Sequence, residues 1–388
     1  MKCKSKKGSN DVNLIVLGNG FDLACGEKTS IFDFVNSILR NPNNTWSHYQ
    51  LNFIVFLIYY MADEKSGNRW KDFLNLNNAE FNDWMDFEKI VYHLVLDEKT
   101  YDLMESIYND PKKYELSTDK AAVFVIAQYF LNFREWHHDV SFSSSDSYLE
   151  FLEKVIFEFE RELGNYLMRI DSDLKIYANK ELLLRKLRFG YKTTSVMDFN
   201  YTRLPYDPDH HVYRIHGTTG TSCIIGIDPY YKEPGINNVY KTLGTKMRFA
   251  KVYKRLKYSS KEEFQQLVLR KNINRITFFG HSLGEQDYSY FQSVFDYINL
   301  YESEVVLVFC YIEYDKEALV KEVDRLTQRV FKLINRYGET LTNKDHGNNL
   351  LNKLLLEGRL VFRELDTEEI FNQKDLNALY KQYEINGR

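Results

Sequence analysis

"VNLIVLGNGFDL", residues 12–23, settles the architecture. Six uncharged residues, Val12 to Leu17, run straight into Gly18-Asn19-Gly20. A run this short and apolar suits a strand buried on both faces of a parallel sheet, and the glycine turn after it leads into a helix near 30–40. Strand, turn and helix open an α/β unit. From residue 193 the same texture returns as "TTSVMDF", "HVYRIHG", "SCIIGID", "RITFFG", "EVVLVFCYI" and "GRLVFREL", with helical stretches near 261–271, 286–300, 315–335 and 367–384. Strands alternating with helices predict a doubly wound, mostly parallel, Rossmann-like sheet.

Between these two parts the pattern differs. "WMDFEKIVYHLVL", "KAAVFVIAQYFLNFREW" and "SYLEFLEKVIFEFERELGNYLMRI" carry apolar residues at helical spacing. The first strand must join the later ones, so residues 41–189 are expected to form a large α-helical insertion in a sheet domain of 11–40 plus 190–388. A single crossover needs only a dozen or so residues, so the block reads as a cap over the sheet's cleft or as an oligomer contact.

Composition excludes several classes. With 388 residues, 44% apolar and 15% aromatic, the chain has ample material for a buried core. Its 51 basic and 55 acidic residues give a net charge of −4, and only "MKCKSKKG" at the start gathers one sign, as a solvated, frayed end would. No nucleic-acid or polybasic membrane surface is advertised. The longest apolar run, "LNFIVFLIYYMA" at 51–62, is short of the roughly 20 residues of a spanning helix and reads as a buried one. Cys3, Cys25, Cys223 and Cys310 stand apart without C-x-x-C spacing, and no signal-peptide pattern opens the chain. A reduced, cytoplasmic protein without a zinc module is expected. The pair His210-His211 lacks a third ligand at useful spacing, so no metal is expected.

In a doubly wound sheet, ligands bind at the carboxyl ends of the strands. Four polar clusters fall there: Gly18-Asn19-Gly20-Phe21-Asp22, Asp198-Phe199-Asn200-Tyr201-Thr202, His216-Gly217, and Gly280-His281-Ser282-Leu283-Gly284-Glu285-Gln286-Asp287. The first glycines would let backbone amides approach a pyrophosphate, though Leu23 stands where a dinucleotide fingerprint has its third glycine. The plain alternative is a tight turn capped by Asp22. Asn200 has a bland reading as a turn former and His216 as a buried core histidine; His216 at a strand end could also serve as a base or ribose contact. Glu88 follows Asp83 and Asp86 at an apparent helix start, where acidic residues complement the dipole; it is also a candidate site residue should the insertion fold over the cleft.

"LIVLGNGFDLACGEKTSIFDF", "DWMDFEKI", "SVMDFNYT", "RIHG" with "IIGID", and "ITFFGHSLGEQDYSYF" together resemble the bacteriophage abortive-infection AbiH family, in order and over most of the chain. That family looks like a distant branch of the sirtuin-like fold, whose members hold NAD. The resemblance implies that Gly18, Asn19, Gly20 and Asp22 belong to the phosphate loop, that Asn200 and His216 face the nicotinamide ribose as catalytic groups, and that Gly280, His281, Ser282 and Asp287 lie beside the adenosine half. The chain lacks the four-cysteine zinc site and the "GIPxFR" segment of sirtuins, which points away from deacetylation. What it implies is an antiphage enzyme hydrolysing NAD or a related nucleotide, with a phage-derived trigger or partner protein and a homo-oligomer as further expectations. A non-catalytic nucleotide sensor or scaffold is the alternative.

Gly280-His281-Ser282-Leu283-Gly284 also matches G-x-S-x-G, the nucleophile elbow of α/β-hydrolases. That order needs a histidine downstream, and only His346 in "TNKDHGNN" is available, with Asp315 or Asp324 as its acid. A helix N-terminus capped by Ser282 is the structural alternative.

Overall fold

A computed structural model gives the fold, and it describes residues 11–37 except 32, 35 and 36, scattered positions between 88 and 110, and 145–205, 210–218, 222–228, 244–258, 267–312 and 316–386. The remainder includes Asp83, Asp86 and the aromatic segment 120–136, which therefore lie outside the described residues. The chain divides into two compact units, one of Met1–Thr29, Leu167–Cys223 and Leu256–Arg388 and the other of Ser30–Tyr166 and Ile224–Arg255.

The first unit holds a six-stranded sheet, all of it parallel: β1 (Val12–Leu17), β2 (Thr193–Asp198), β3 (His210–Arg214), β6 (Ile273–Phe279), β7 (Val306–Ile312) and β8 (Leu360–Leu365), in the order β3-β2-β1-β6-β7-β8. β4 (Gly217–Thr218) and β5 (Ser222–Cys223) form a small antiparallel pair beside it. The winding reverses at β1, with β2 and β3 on one side and β6 to β8 on the other, as in doubly wound nucleotide-binding sheets.

Both faces of the sheet are buried, which is why its strands read as continuous apolar runs. Leu14 and Val16 of β1 point to one side with Ile276, Phe278, Leu307 and Phe309, while Ile15 and Leu17 point to the other with Val196, Phe279, Val308 and Cys310. Helices cover each side. α5 (Tyr288–Tyr297) supplies Phe291 and Phe295, α6 (Lys316–Thr340) supplies Leu333 and Ile334, and α7 (Lys344–Leu356) supplies Leu350 and Leu354 to the first core. On the second, α3 (Leu174–Leu187) contributes Leu183, Leu184 and Leu187, and α8 (Gln373–Asn386) contributes Leu376 and Leu379. The residues expected to form one helical block are thus shared, because α3 is part of the sheet unit.

In the second unit, most of α2 (Ser145–Ile170) follows the predicted amphipathic run, and Phe34 stacks edge-on against Phe159 at 5.2 Å. Glu160 of α2 accepts from Lys254 Nζ at 2.6 Å and from the Ile225 amide at 2.7 Å. Two sequence expectations need correction. Of the helix expected at 261–271, residues 267–270 are not helical and 261–266 lie outside the described residues; among the described residues the helix before β6 is α4 (Lys251–Tyr258). The polar "TNKDHGNN" is not a loop but the start of α7, because the Asn343 side chain accepts from the amides of Asp345 and His346.

Candidate functional site

The carboxyl ends of β1, β2, β3 and β6 are stitched together by backbone bonds. The Phe199 amide donates to Leu17 O at 2.9 Å, Ile215 N to Asp198 O at 2.7 Å and Gly18 N to Phe279 O at 3.1 Å. Beyond them the loops after β1 and β6 cross at glycines. Gly20 N donates to Gly280 O at 2.8 Å, and a Cβ on Gly280 would lie 2.4 Å from the Phe21 nitrogen, with Gly280 itself at φ +68°. A Cβ on Gly18 would lie 2.4 Å from His281 Cα. The first two glycines therefore have a structural use. Their amides donate to carbonyls of the neighbouring strand and loop, so these glycines serve a close loop crossing.

Asp22 faces inward as well. It neither caps a helix nor opens onto a cleft: the N-cap of the short α1 (Gly20–Ala24) is Asn19, whose Oδ1 accepts from Thr29 Oγ1 at 2.7 Å. The Asp22 carboxylate accepts from Thr202 Oγ1 at 2.7 Å and lies 3.2 Å from Lys180 Nζ, with both charged side chains 1% exposed. Lys180, from α3, also meets the Glu27 carboxylate and donates to Thr202 Oγ1 at 2.8 Å and to Arg203 O at 3.2 Å. One buried cation therefore ties α3, the loop after β1 and the loop after β2. Burial alone would lower the Lys180 ammonium, yet Asp22 and Glu27 hold it above its usual range. Burial and the neighbouring Asp22 push Glu27 up to about 7 against the pull of Lys180. Sequence reasoning missed Lys180 and Glu27; a lysine within the apolar face of "LKIYANKELLLRKL" was the available signal.

Asn200 follows β2, and Asp198 fixes how it sits. Both the Asn200 amide and its Nδ2 donate to Asp198 Oδ1 at 3.0 Å. The side-chain carbonyl Oδ1 is thereby turned away from the carboxylate, and it is buried without a hydrogen-bond partner. A buried acceptor in this state is uncommon in folded proteins and calls for an explanation. Asp198, 0% exposed, is pushed up to about 7 by burial, against the pull of Arg214 and of the Asn200 amide.

His216 follows β3 and lies among the residues that flank Asn200: its ring centroid is 5.6 Å from Phe199 and 5.6 Å from Tyr201. Its Nε2 faces Asp287 Oδ1 at 3.4 Å. From the β6 loop, His281 packs edge-on against Phe199 at 4.3 Å and turns Nε2 toward Asp287 Oδ2 at 3.6 Å. His216 and His281 thus both pack on Phe199, the residue before Asn200, and both turn Nε2 toward Asp287. Glu88 belongs to the second unit, where its Oε2 accepts from Lys251 Nζ at 2.7 Å.

Ser282 is not built as a nucleophile. An elbow serine stands between strand and helix, whereas here Leu283 (φ +54°), Gly284 and the 3-10 turn Glu285–Asp287 lie between Ser282 and α5, which begins only at Tyr288. That placement also removes Ser282 as a helix cap. His346 is occupied elsewhere, stacked at 4.1 Å on Tyr301. Among the described residues no group of three or more His, Cys, Asp or Glu could hold a metal ion, and Cys25, Cys223 and Cys310 are buried free thiols. No described helix is long and apolar enough to cross a membrane.

The family of bacteriophage abortive infection AbiH proteins matches residues 14–311, from β1 to β7. The chain belongs to the AbiH family. Membership implies a part in abortive infection of bacteriophage. The match begins at β1 and takes in every loop that carries the candidate residues. No curated protein and no solved structure matches the chain.

Proposed function

We propose that this AbiH protein hydrolyses the nicotinamide–ribose bond of NAD or a related nucleotide, bound at the carboxyl edge of its sheet beside β1. The observation that carries this reading is the Asn200 side chain: its carbonyl oxygen is buried and unpartnered while its amide is held by Asp198. Such an acceptor orients a water or a ribose hydroxyl, each of which brings the proton that the oxygen lacks. Cleavage of a nicotinamide–ribose bond passes through an oxocarbenium-like state, and it needs a positioned nucleophile and a base rather than a covalent group. Asn200 positions the water, and His216, framed by Phe199 and Tyr201, takes its proton or that of a ribose hydroxyl. The released nicotinamide departs neutral, so no acid is needed for it.

Incubation of the purified protein with NAD, with and without lysate of phage-infected cells, tests the proposal. Nicotinamide is expected from the wild type and not from Asn200→Ala or His216→Ala. Absence of release from the wild type under both conditions overturns it; nucleotide binding without turnover, with phage protection that survives His216→Ala, identifies a non-catalytic sensor instead.

A further inference from the structure

Asp287 stands between two imidazoles, and the chain fixes the proton on one of them. The Leu283 amide donates to His281 Nδ1 at 2.9 Å, so that nitrogen carries a lone pair and the His281 proton resides on Nε2. This Nε2–H is turned to Asp287 Oδ2 at 3.6 Å, and the second carboxylate oxygen faces His216 Nε2 at 3.4 Å. His281 and Asp287 are 9% and 8% exposed and His216 is 7% exposed, so the three groups meet with little water between them.

We infer that Asp287 is a positioning residue that sets the tautomer of His216 from behind, and that His281 holds Asp287 in place for it. A carboxylate can only accept, so the nitrogen facing it must carry the proton. His216 is therefore the Nε2–H tautomer, and Nδ1 is its basic nitrogen. This is the division of labour of a catalytic triad, in which a buried carboxylate orients an imidazole and stabilises the imidazolium formed when the other nitrogen takes a proton. The order of elements is specific to this fold: the carboxylate precedes α5, the steering histidine follows β6 and the basic one follows β3. It also gives "GHSLGEQD" a use that needs no nucleophilic serine: His281 and Asp287 act, and Gly280 brings the loop against the one after β1.

The catalytic part rests on the proposed hydrolysis; the tautomer does not, so two readouts separate them. Protein labelled with 15N-histidine, with His216 assigned through a His216→Gln variant, is examined by long-range proton–nitrogen correlation at neutral pH. Wild-type His216 is expected to show Nε2 protonated and Nδ1 bare. In Asp287→Asn, whose amide can donate to Nε2, the proton is expected on Nδ1. A wild-type His216 protonated on Nδ1 overturns the inference and needs no variant to fold; an unchanged tautomer in a folded Asp287→Asn overturns it equally. In the second readout, nicotinamide release by Asp287→Asn is expected to lose kcat by about 10³–10⁴-fold with KM nearly unchanged, as when a triad loses its tautomer control, and Asp287→Glu to recover part of it. A loss confined to KM refutes the positioning role. If wild type releases no nicotinamide, the proposed hydrolysis fails while the spectrum still decides the tautomer.

Discussion

Replacing Lys180 by Met removes one charge and leaves two opposite ones in a place with no water. Asp22 and Glu27 each lie 1% exposed against the ammonium. Removing one partner of a buried ion pair costs about 4 kcal/mol, and the Arg203 carbonyl, deprived of its donor, adds about 1 kcal/mol. Glu27 sits at about 7 because burial and Asp22 raise it against the pull of Lys180; without that pull it moves further up. At pH 6 Glu27 is protonated in both proteins and a total of about 5 kcal/mol is expected; at pH 8 the wild type has released that proton and the variant keeps it, which adds about 1 kcal/mol at 1.36 kcal/mol per pH unit. The sign follows from proton binding: the unfolded chain releases this proton well below pH 6, so the deficit of a native state that retains it grows as pH rises. Urea unfolding followed by circular dichroism at the two pH values measures both numbers. An equal loss at pH 6 and pH 8, or a loss under 1 kcal/mol at either, refutes the account and makes Lys180 a packing residue.

Four further outcomes are expected. Asp198→Asn should flatten the pH dependence of stability: burial holds the wild-type carboxyl at about 7 against an ordinary 3.8, so its contribution is present below pH 4 and lost by pH 7. That loss is at most about 4 kcal/mol, read as the difference in urea midpoints between pH 4.5 and pH 8. Gly280→Ala forces a Cβ to 2.4 Å from the Phe21 nitrogen at φ +68°, and a loss of about 3 kcal/mol is expected from strain and overpacking together; a loss below 1 kcal/mol in the same assay would show that the loops can part. Asn200→Ala should lower nicotinamide release by about 10²-fold or more while the melting temperature stays within a few degrees. Ser282 should not be labelled by a fluorophosphonate probe in the native protein, and Ser282→Ala should melt as the wild type does.

The sheet was legible because burial on both faces leaves a signature in composition: β1 and β7 are nearly free of polar residues, β6 ends in the apolar Phe278-Phe279, and glycine follows β1 and β6 directly. The candidate residues were legible for a related reason, since polar clusters directly after such runs have few places to go. What those residues touch was not legible. "GNG" reads as an anion loop because a pattern records which backbone can come close, not what it comes close to; here the neighbour is Gly280. Asp22 reads as a cap until Lys180, far along the chain, is brought against it. The helix at 344–356 was hidden because its first turn is written in the same polar residues as a loop, and only the Asn343 cap bonds tell them apart.

β1 is made before its neighbours in the sheet, β2 and β6, which are encoded far downstream. Contacts of such wide sequence separation form slowly even in a free chain. On a ribosome adding about 5–20 residues per second, β6 emerges roughly 13–50 s after β1. Throughout that interval Leu14 to Leu17 form an apolar strand with an unfilled edge, the kind of segment that pairs with other chains. β6 to β8, with helices α5 to α7 between them, can assemble from near neighbours, whereas the strand beside the candidate site must be kept from aggregation until the centre of the sheet can close around it. The burden on the cell's chaperones therefore falls on β1.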